Sequence, residues 1–142
     1  MSYRPTSSMV KLAIFNIIGD IEGLMFLELF AGSATISLEA KKRGAIPTAV
    51  DISNKNVKTK DVKFVKRDVL SFLKSSKEQF DIVFADPPYK FQDYDKLLFL
   101  VKNVLSEGGL FILEHSSKLD FGSKDKRVYG DTAISFWYKE EL

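Results

Sequence analysis

Four short apolar runs, "MFLELF" at 25–30, "IPTAVD" at 46–51, "FDIVFA" at 80–85 and "LFILEH" at 110–115, alternate with stretches of helical periodicity. A nearly continuous apolar strand needs cover on both faces, which a half-wetted sheet does not give it. Helices between the strands supply that cover, so the expected fold is α/β with a mostly parallel sheet. One helix is read over 6–18, between a Thr6 or Ser7 cap and Gly19. Others are expected over about 34–43 with Gly44 closing, over 69–76, and from Tyr94 to Leu105, stopped by Gly108 and Gly109. A further strand is read at 62–66, and 126–130 with 132–138 look like two final strands closing on each other.

The 142 residues suit one domain, 1–142, with a single core. Within it, 1–22 is read as an N-terminal helical segment packing near the site and 23–142 as the core. The chain has no cysteine and a single histidine, which excludes disulfides, thiol nucleophiles and Cys- or His-rich metal sites. No apolar run reaches membrane-spanning length and the first ten residues show no signal peptide, so a cytoplasmic location is expected. Charge is uneven. Residues 41–79 carry eleven Lys/Arg against four Asp/Glu, while 80–115 carry three against six. Lys55, Lys58, Lys60, Lys63, Lys66 and Arg67 therefore either track phosphates or form a solvated face.

Right-handed crossovers place the loops after the first four strands along one sheet edge, where open sheets bind ligands. In "ELFAGSAT" (28–35), Gly32 permits close backbone approach, and Glu28, a carboxylate in an apolar strand, wants a partner such as a cationic ligand group. The G-x-G-x-x-G spacing of dinucleotide sites is absent. Asp51 ends the second strand, placed to accept ribose hydroxyls or to cap a short helix. Asp68 ends the third, placed to cap the next helix or to accept an adenine amine.

After the fourth strand comes "DPPY" (86–89). Two prolines stiffen the backbone and remove two N–H donors, leaving carbonyls as fixed acceptors. Asp86 and the Pro87 carbonyl would each take one hydrogen of an exocyclic amine, and Tyr89 would stack on the base that carries it.

These residues resemble an S-adenosylmethionine-dependent class I methyltransferase of Rossmann-like fold, and "DPPY" resembles the signature of those acting on amino groups. "RPTSSMVKLAIFNII" (4–18), "ELFAGSATISLEAKKRGA" (28–45) and "YGDTAISFWYK" (129–139) resemble, more narrowly, the RsmD-like family. That family methylates the 2-amino group of a guanine in small-subunit (16S) ribosomal RNA. The resemblance implies a seven-stranded, mostly parallel sheet with helices on both faces and an antiparallel C-terminal strand.

It implies S-adenosyl-L-methionine held by Glu28, Phe30, Ala31, Gly32, Ser33, Asp51, Ile52, Asp68, Val69 and Asp86. Asp86, Pro87 and Tyr89 would grip the target base, with Thr6 and Asn16 helping to close the site and no metal involved. The implied partner is 16S rRNA or the assembling small subunit, met by a monomer. Four departures from the family stand out. Ala34 and Ser37 occupy positions usually glycine, so their side chains would tighten the pocket. Only three residues precede Arg4, where a basic hairpin usually stands. The stretch from Asp51 to Asp68 is too short for the usual helix. Met9 and Lys11 replace arginines. An adenine-directed DNA or RNA amino-methyltransferase and a non-catalytic cofactor-fold RNA-binding module remain the alternatives. His115 is read as an edge histidine without a role, and Phe136 and Trp137 as core aromatics.

Overall fold

The computed structural model describes residues 7–57 and 60–142. Eleven regular elements precede a terminal 3-10 turn: α1 (Ser8–Ile18), β1 (Met25–Leu29), α2 (Thr35–Lys42), β2 (Ile46–Asp51), β3 (Lys63–Lys66), α3 (Val69–Ser75), β4 (Phe80–Ala85), α4 (Tyr94–Val104), β5 (Leu105–Ser116), β6 (Asp125–Tyr129) and β7 (Thr132–Tyr138). The strands form one seven-stranded sheet in the order β3-β2-β1-β4-β5-β7-β6. Pairings from β3 through to β5 are parallel, and β7 runs antiparallel to both β5 and β6. The expected architecture is the observed one, with β7 as the reversed strand.

Alternate side chains of the central strands feed two cores, as the two-sided apolar pattern requires. Leu27, Leu29, Val83, Ala85, Phe111 and Leu113 point to the face covered by α3 and α4. Phe26, Ile82, Phe84 and Ile112 point to the face covered by α1 and α2. Phe136 and Trp137 are core aromatics on opposite faces of β7. Between β2 and β3 the described residues form bends and turns, as the short spacing implied. Among the described residues no helix is long and apolar enough to cross a membrane.

One expected boundary moves. The Gly108-Gly109 pair does not terminate α4, which ends at Val104, with Leu105 already extended. Strand β5 begins at once, and its register against β4 steps from Phe80↔Leu105 to Ile82↔Leu110. The glycines lie inside the resulting bulge, where Gly108 takes φ 76°. Asp81 braces the bulge, accepting from the Ser106 hydroxyl at 2.9 Å and from the Met25 amide at 2.8 Å. A Cβ on Gly109 would fall 2.8 Å from the Ser106 carbonyl oxygen and 3.3 Å from that of Asp81, both backbone atoms. Gly109→Ala is therefore expected to lower stability by about 1–3 kcal/mol. Urea unfolding at unchanged slope measures this, and an unshifted midpoint contradicts it.

Candidate active site

Strands β1 and β4 run side by side with Leu29 opposite Ala85, while the chain winds outward from them in opposite directions. A crevice opens at the carboxyl ends of strands at such a switch point. Residues 30–34 form one lip and 86–91 the other. Their roots are joined by the Asp86 amide, which donates to the Leu29 carbonyl at 3.4 Å.

The first lip is strained. Phe30, Gly32 and Ala34 have φ of 58°, 56° and 62°. Glycine takes this region freely, but a bulky residue there is an outlier, and each such residue costs about 1–3 kcal/mol unless its surroundings impose it. The surroundings here do impose it. The Ala31 amide donates to Val50 at 3.0 Å and the Ala34 amide to Ala31 at 2.8 Å. The Gly32 amide donates to Asp51 Oδ2 at 2.7 Å, and Asp51 Oδ1 accepts from the Ser53 amide at 3.2 Å. Asp51 thus ties the second strand's end to the first lip, and each oxygen has a lone pair left for a further donor.

Glu28 has a partner within the protein, Ser37. Oε1 accepts from the Ser37 amide at 2.8 Å and from its hydroxyl at 2.7 Å. Ala34, the N-cap of α2, provides no side-chain cap, so the strand carboxylate does that work from outside the helix. Ser37 is fully buried and turned toward Glu28, so it braces the first lip instead of narrowing the crevice. Burial pushes the Glu28 carboxyl up to about 7; the Ser37 hydrogen bonds oppose this and the Asp51 charge adds to it.

Other predicted residues divide. Ala31 is buried, and Phe30 and Ser33 are half-buried on the lip itself. Asp68 caps α3, accepting from the Ser71 amide at 3.0 Å, and is exposed. The Val69 side chain is in the core and Ile52 projects into solvent, so neither side chain joins the lips. Ser7 and Val10 line a cavity with Glu114, Tyr129 and Thr132, which puts the start of α1 at the carboxyl edge, where β5 ends. Asn16 is nine residues along from Ser7, about 13 Å further down the helix, and exposed, so it does not reach this edge. Thr6, Arg4 and Lys58 lie outside the described residues.

On the second lip, the Pro88 carbonyl accepts from the Phe91 amide at 2.9 Å and closes a turn around Tyr89 and Lys90. Among the described residues no hydrogen bond engages the Pro87 carbonyl. Asp86 is half-buried, and Tyr89 is 87% exposed, its ring presented to whatever approaches.

Behind this lip runs a row of rings that sequence reasoning missed. Phe30 meets Phe91 edge-on at 5.1 Å, Phe91 meets Tyr94 at 5.1 Å, Tyr94 meets Phe121 at 4.8 Å, and Phe121 meets His115 at 5.0 Å. Burial, with the Asp86 charge adding to it, raises the Tyr94 hydroxyl pKa, which places that hydroxyl near the second lip. His115 is buried rather than at an edge. Its Nδ1 lies 2.8 Å from the Ser116 carbonyl and must donate, so Nε2 accepts from the Ser135 hydroxyl at 2.8 Å. The density of aromatics just after "DPPY" was the available signal for this row.

Two outcomes follow. Glu28 is raised from 4.5 to about 7 on folding, so the folded state binds the extra proton. Its contribution is full below pH 4.5 and is lost as pH rises to about 7, a loss on the order of 3 kcal/mol. Glu28→Gln is expected to flatten that part of a stability–pH profile; an unchanged slope contradicts the assignment. For Ala34→Gly, relief of about 1–2 kcal/mol of left-handed strain is offset by a lost buried methyl of about 0.8 kcal/mol and added unfolded-state freedom of about 0.4–1 kcal/mol. The melting free energy should move by less than about 1 kcal/mol, and a larger shift means that the bookkeeping of the turn is wrong.

Comparison with known proteins identifies the family. Residues 1–138 match the family described as Conserved hypothetical protein 95. The chain is 31% identical to the "Putative rRNA methyltransferase YlbH" of Bacillus subtilis (strain 168), over 97% of this chain and 89% of that one. It is 26% identical to "Ribosomal RNA small subunit methyltransferase D" of Buchnera aphidicola subsp. Baizongia pistaciae, over 82% of this chain and 67% of the other. A solved structure of a conserved hypothetical protein from Streptococcus pyogenes superposes with a TM-score of 0.79 at 26% identity, covering 91% of this chain and 94% of that one. The match over nearly the whole chain, with a sheet order that fits it, makes this protein a member of the Conserved hypothetical protein 95 family, an RsmD-like class I methyltransferase.

Proposed function

We propose that this enzyme methylates the exocyclic 2-amino group of a guanine in small-subunit (16S) ribosomal RNA, with S-adenosyl-L-methionine as donor. The observation that carries the reading is the second lip. It combines a carboxylate at Asp86, a Pro87 carbonyl that no described donor engages, and an 87% exposed Tyr89 ring, on a turn stiffened by two prolines. Relatives named as ribosomal RNA methyltransferases support RNA as the substrate class.

The donor set fits the cofactor. Asp51 keeps acceptor capacity for ribose hydroxyls, and Gly32 and the small Ala31 let backbone come close to a ligand. Glu28 and Ser37 hold the lip in shape from beneath. Exposed Asp68 offers a carboxylate for an adenine amine in addition to its capping role. When bound, S-adenosylmethionine supplies a methyl already made electrophilic by its sulfonium, so the chain's own work is orientation. Asp86 and the Pro87 carbonyl each accept one N–H of the amine, fixing its lone pair toward the crevice. Tyr89 stacks on the base, and the Asp86 charge stabilises the positive charge that develops on nitrogen until the methylated amine releases its extra proton after transfer. A base inside a helix does not reach this lip, so the target is unpaired or flipped out. The partner is then the rRNA or the assembling small subunit, met in the cytoplasm.

Labelled-methyl transfer to small subunits from a strain lacking the gene tests the reading. Asp86→Ala is expected to cut turnover at least 100-fold, with S-adenosylmethionine affinity by calorimetry within about threefold. Undiminished turnover in that variant removes Asp86 from the chemistry. Nucleoside mapping that finds methyladenine instead of N2-methylguanine overturns the choice of base.

A further inference from the structure

We infer that Phe91 is a positioning residue that couples the two lips of the crevice, so that the state of the cofactor loop sets the geometry of the amine-holding turn. The inference rests on the methyl-transfer reading above and adds a residue to it.

Strain supplies the first reason. Phe30 occupies a left-handed backbone position, φ 58°, that a glycine would fill without cost. An outlier of this kind persists where its surroundings impose it, as the hydrogen bonds of the Ala31, Gly32 and Ala34 amides do here, and it fixes where the ring points. The half-buried Phe30 side chain packs against the core on the α3 and α4 side, with part of its ring left for a second contact. What the conformation achieves is contact: the ring meets Phe91 edge-on at 5.1 Å with planes 65° apart, a favourable aromatic geometry.

Phe91 in turn belongs to the other lip by its backbone. Its amide donates to the Pro88 carbonyl at 2.9 Å and so closes the turn that carries Tyr89. Ring and turn therefore move as one body. Two prolines precede that hydrogen bond, leaving the turn few other ways to adjust.

The far end is anchored. Phe91 packs on Tyr94 at 85°, Tyr94 on Phe121, and Phe121 against His115, whose two ring nitrogens are both hydrogen-bonded. A displacement of Phe30 is thus not absorbed behind Phe91. It is passed to the Pro88 turn, and through it to Asp86 and Pro87. The rings tie the loop after β1 to the loop after β4 at a point distinct from their common root at Leu29 and Asp86.

The test compares wild type, Phe91→Ala, Phe91→Tyr and Phe30→Gly/Phe91→Ala on undermethylated small subunits, with S-adenosylmethionine affinity measured separately by calorimetry. Phe91→Ala is expected to lower kcat at least 10-fold while the cofactor Kd stays within about threefold, since the first lip keeps its own hydrogen bonds. Phe91→Tyr, which restores the ring, should recover kcat to within about threefold of wild type. The double variant should be no slower than Phe91→Ala, because both changes remove one contact. Full activity in Phe91→Ala overturns the coupling, as does a kcat loss matched by an equal loss of cofactor affinity, which marks mere support of the pocket. Failure of Phe91→Tyr to recover also overturns it. A wild-type protein that transfers no methyl sinks the functional reading itself, whereas an active wild type with an equally active Phe91→Ala sinks the coupling alone.

Discussion

Everything at the crevice depends on the seam between β1 and β4. These two parallel strands are covered on both faces, and their last residues, Leu29 and Ala85, are fully buried opposite each other. A strand fixed on both faces and both edges has no freedom to slip, because a one-residue slip would turn its side chains to the wrong core. The loops leaving it start from points defined by the whole hydrophobic interior. This is why a strained lip is tolerated on one side and a proline-stiffened one on the other. Asp51 extends the same logic to the neighbouring strand by grasping the Gly32 amide from the end of β2. A residue read as ligand-binding is thereby also structural, and its carboxylate is pre-oriented by the fold before any ligand arrives.

Much of this was legible in the chain. The two-sided apolar runs required a covered parallel sheet, and helices between them required crossovers, so the carboxyl-edge acids and "DPPY" had to gather on one side. What stayed hidden was governed by contacts remote in sequence. Gly108 and Gly109 look like a helix stop because glycine commonly ends helices. Here their freedom serves a bulge that Asp81 holds from the neighbouring strand, a relation no local pattern announces. Glu28 advertised an unmet need, but the residue that meets it, Ser37, sits in the first turn of the next helix and reads as a side chain that narrows the pocket, not as a partner for Glu28. The ring row was invisible for a similar reason. Phe30, Phe91 and Phe121 come from three separate loops, and only the strand order brings them together.

The two lips also differ in how they resist motion. The first is held by hydrogen bonds to its own backbone, to Val50 and to Asp51. The second is held by covalent restriction at two prolines, the backbone hydrogen bonds of the Asp86 and Phe91 amides, and aromatic packing. Hydrogen-bonded turns of the first kind are directional and exchange with solvent when opened. Aromatic packing is less directional and is not weakened by salt. The buried acid beneath the first lip adds sensitivity to acidity there.

The single reversed strand has an effect on how such a scaffold diversifies. Because β7 alone runs backwards, the Gly130–Asp131 turn joining it to β6 emerges beside the end of β5, and the Ser117 amide reaches across to the Asp131 carbonyl at 2.9 Å. A hairpin tip is the place where a chain accommodates extra residues most readily. Lengthening this one would build new surface beside the end of β5 while leaving the lips that follow β1 and β4 untouched. Change at the hairpin tip is thus separated along the chain from change at the two lips, and the two can proceed at different rates.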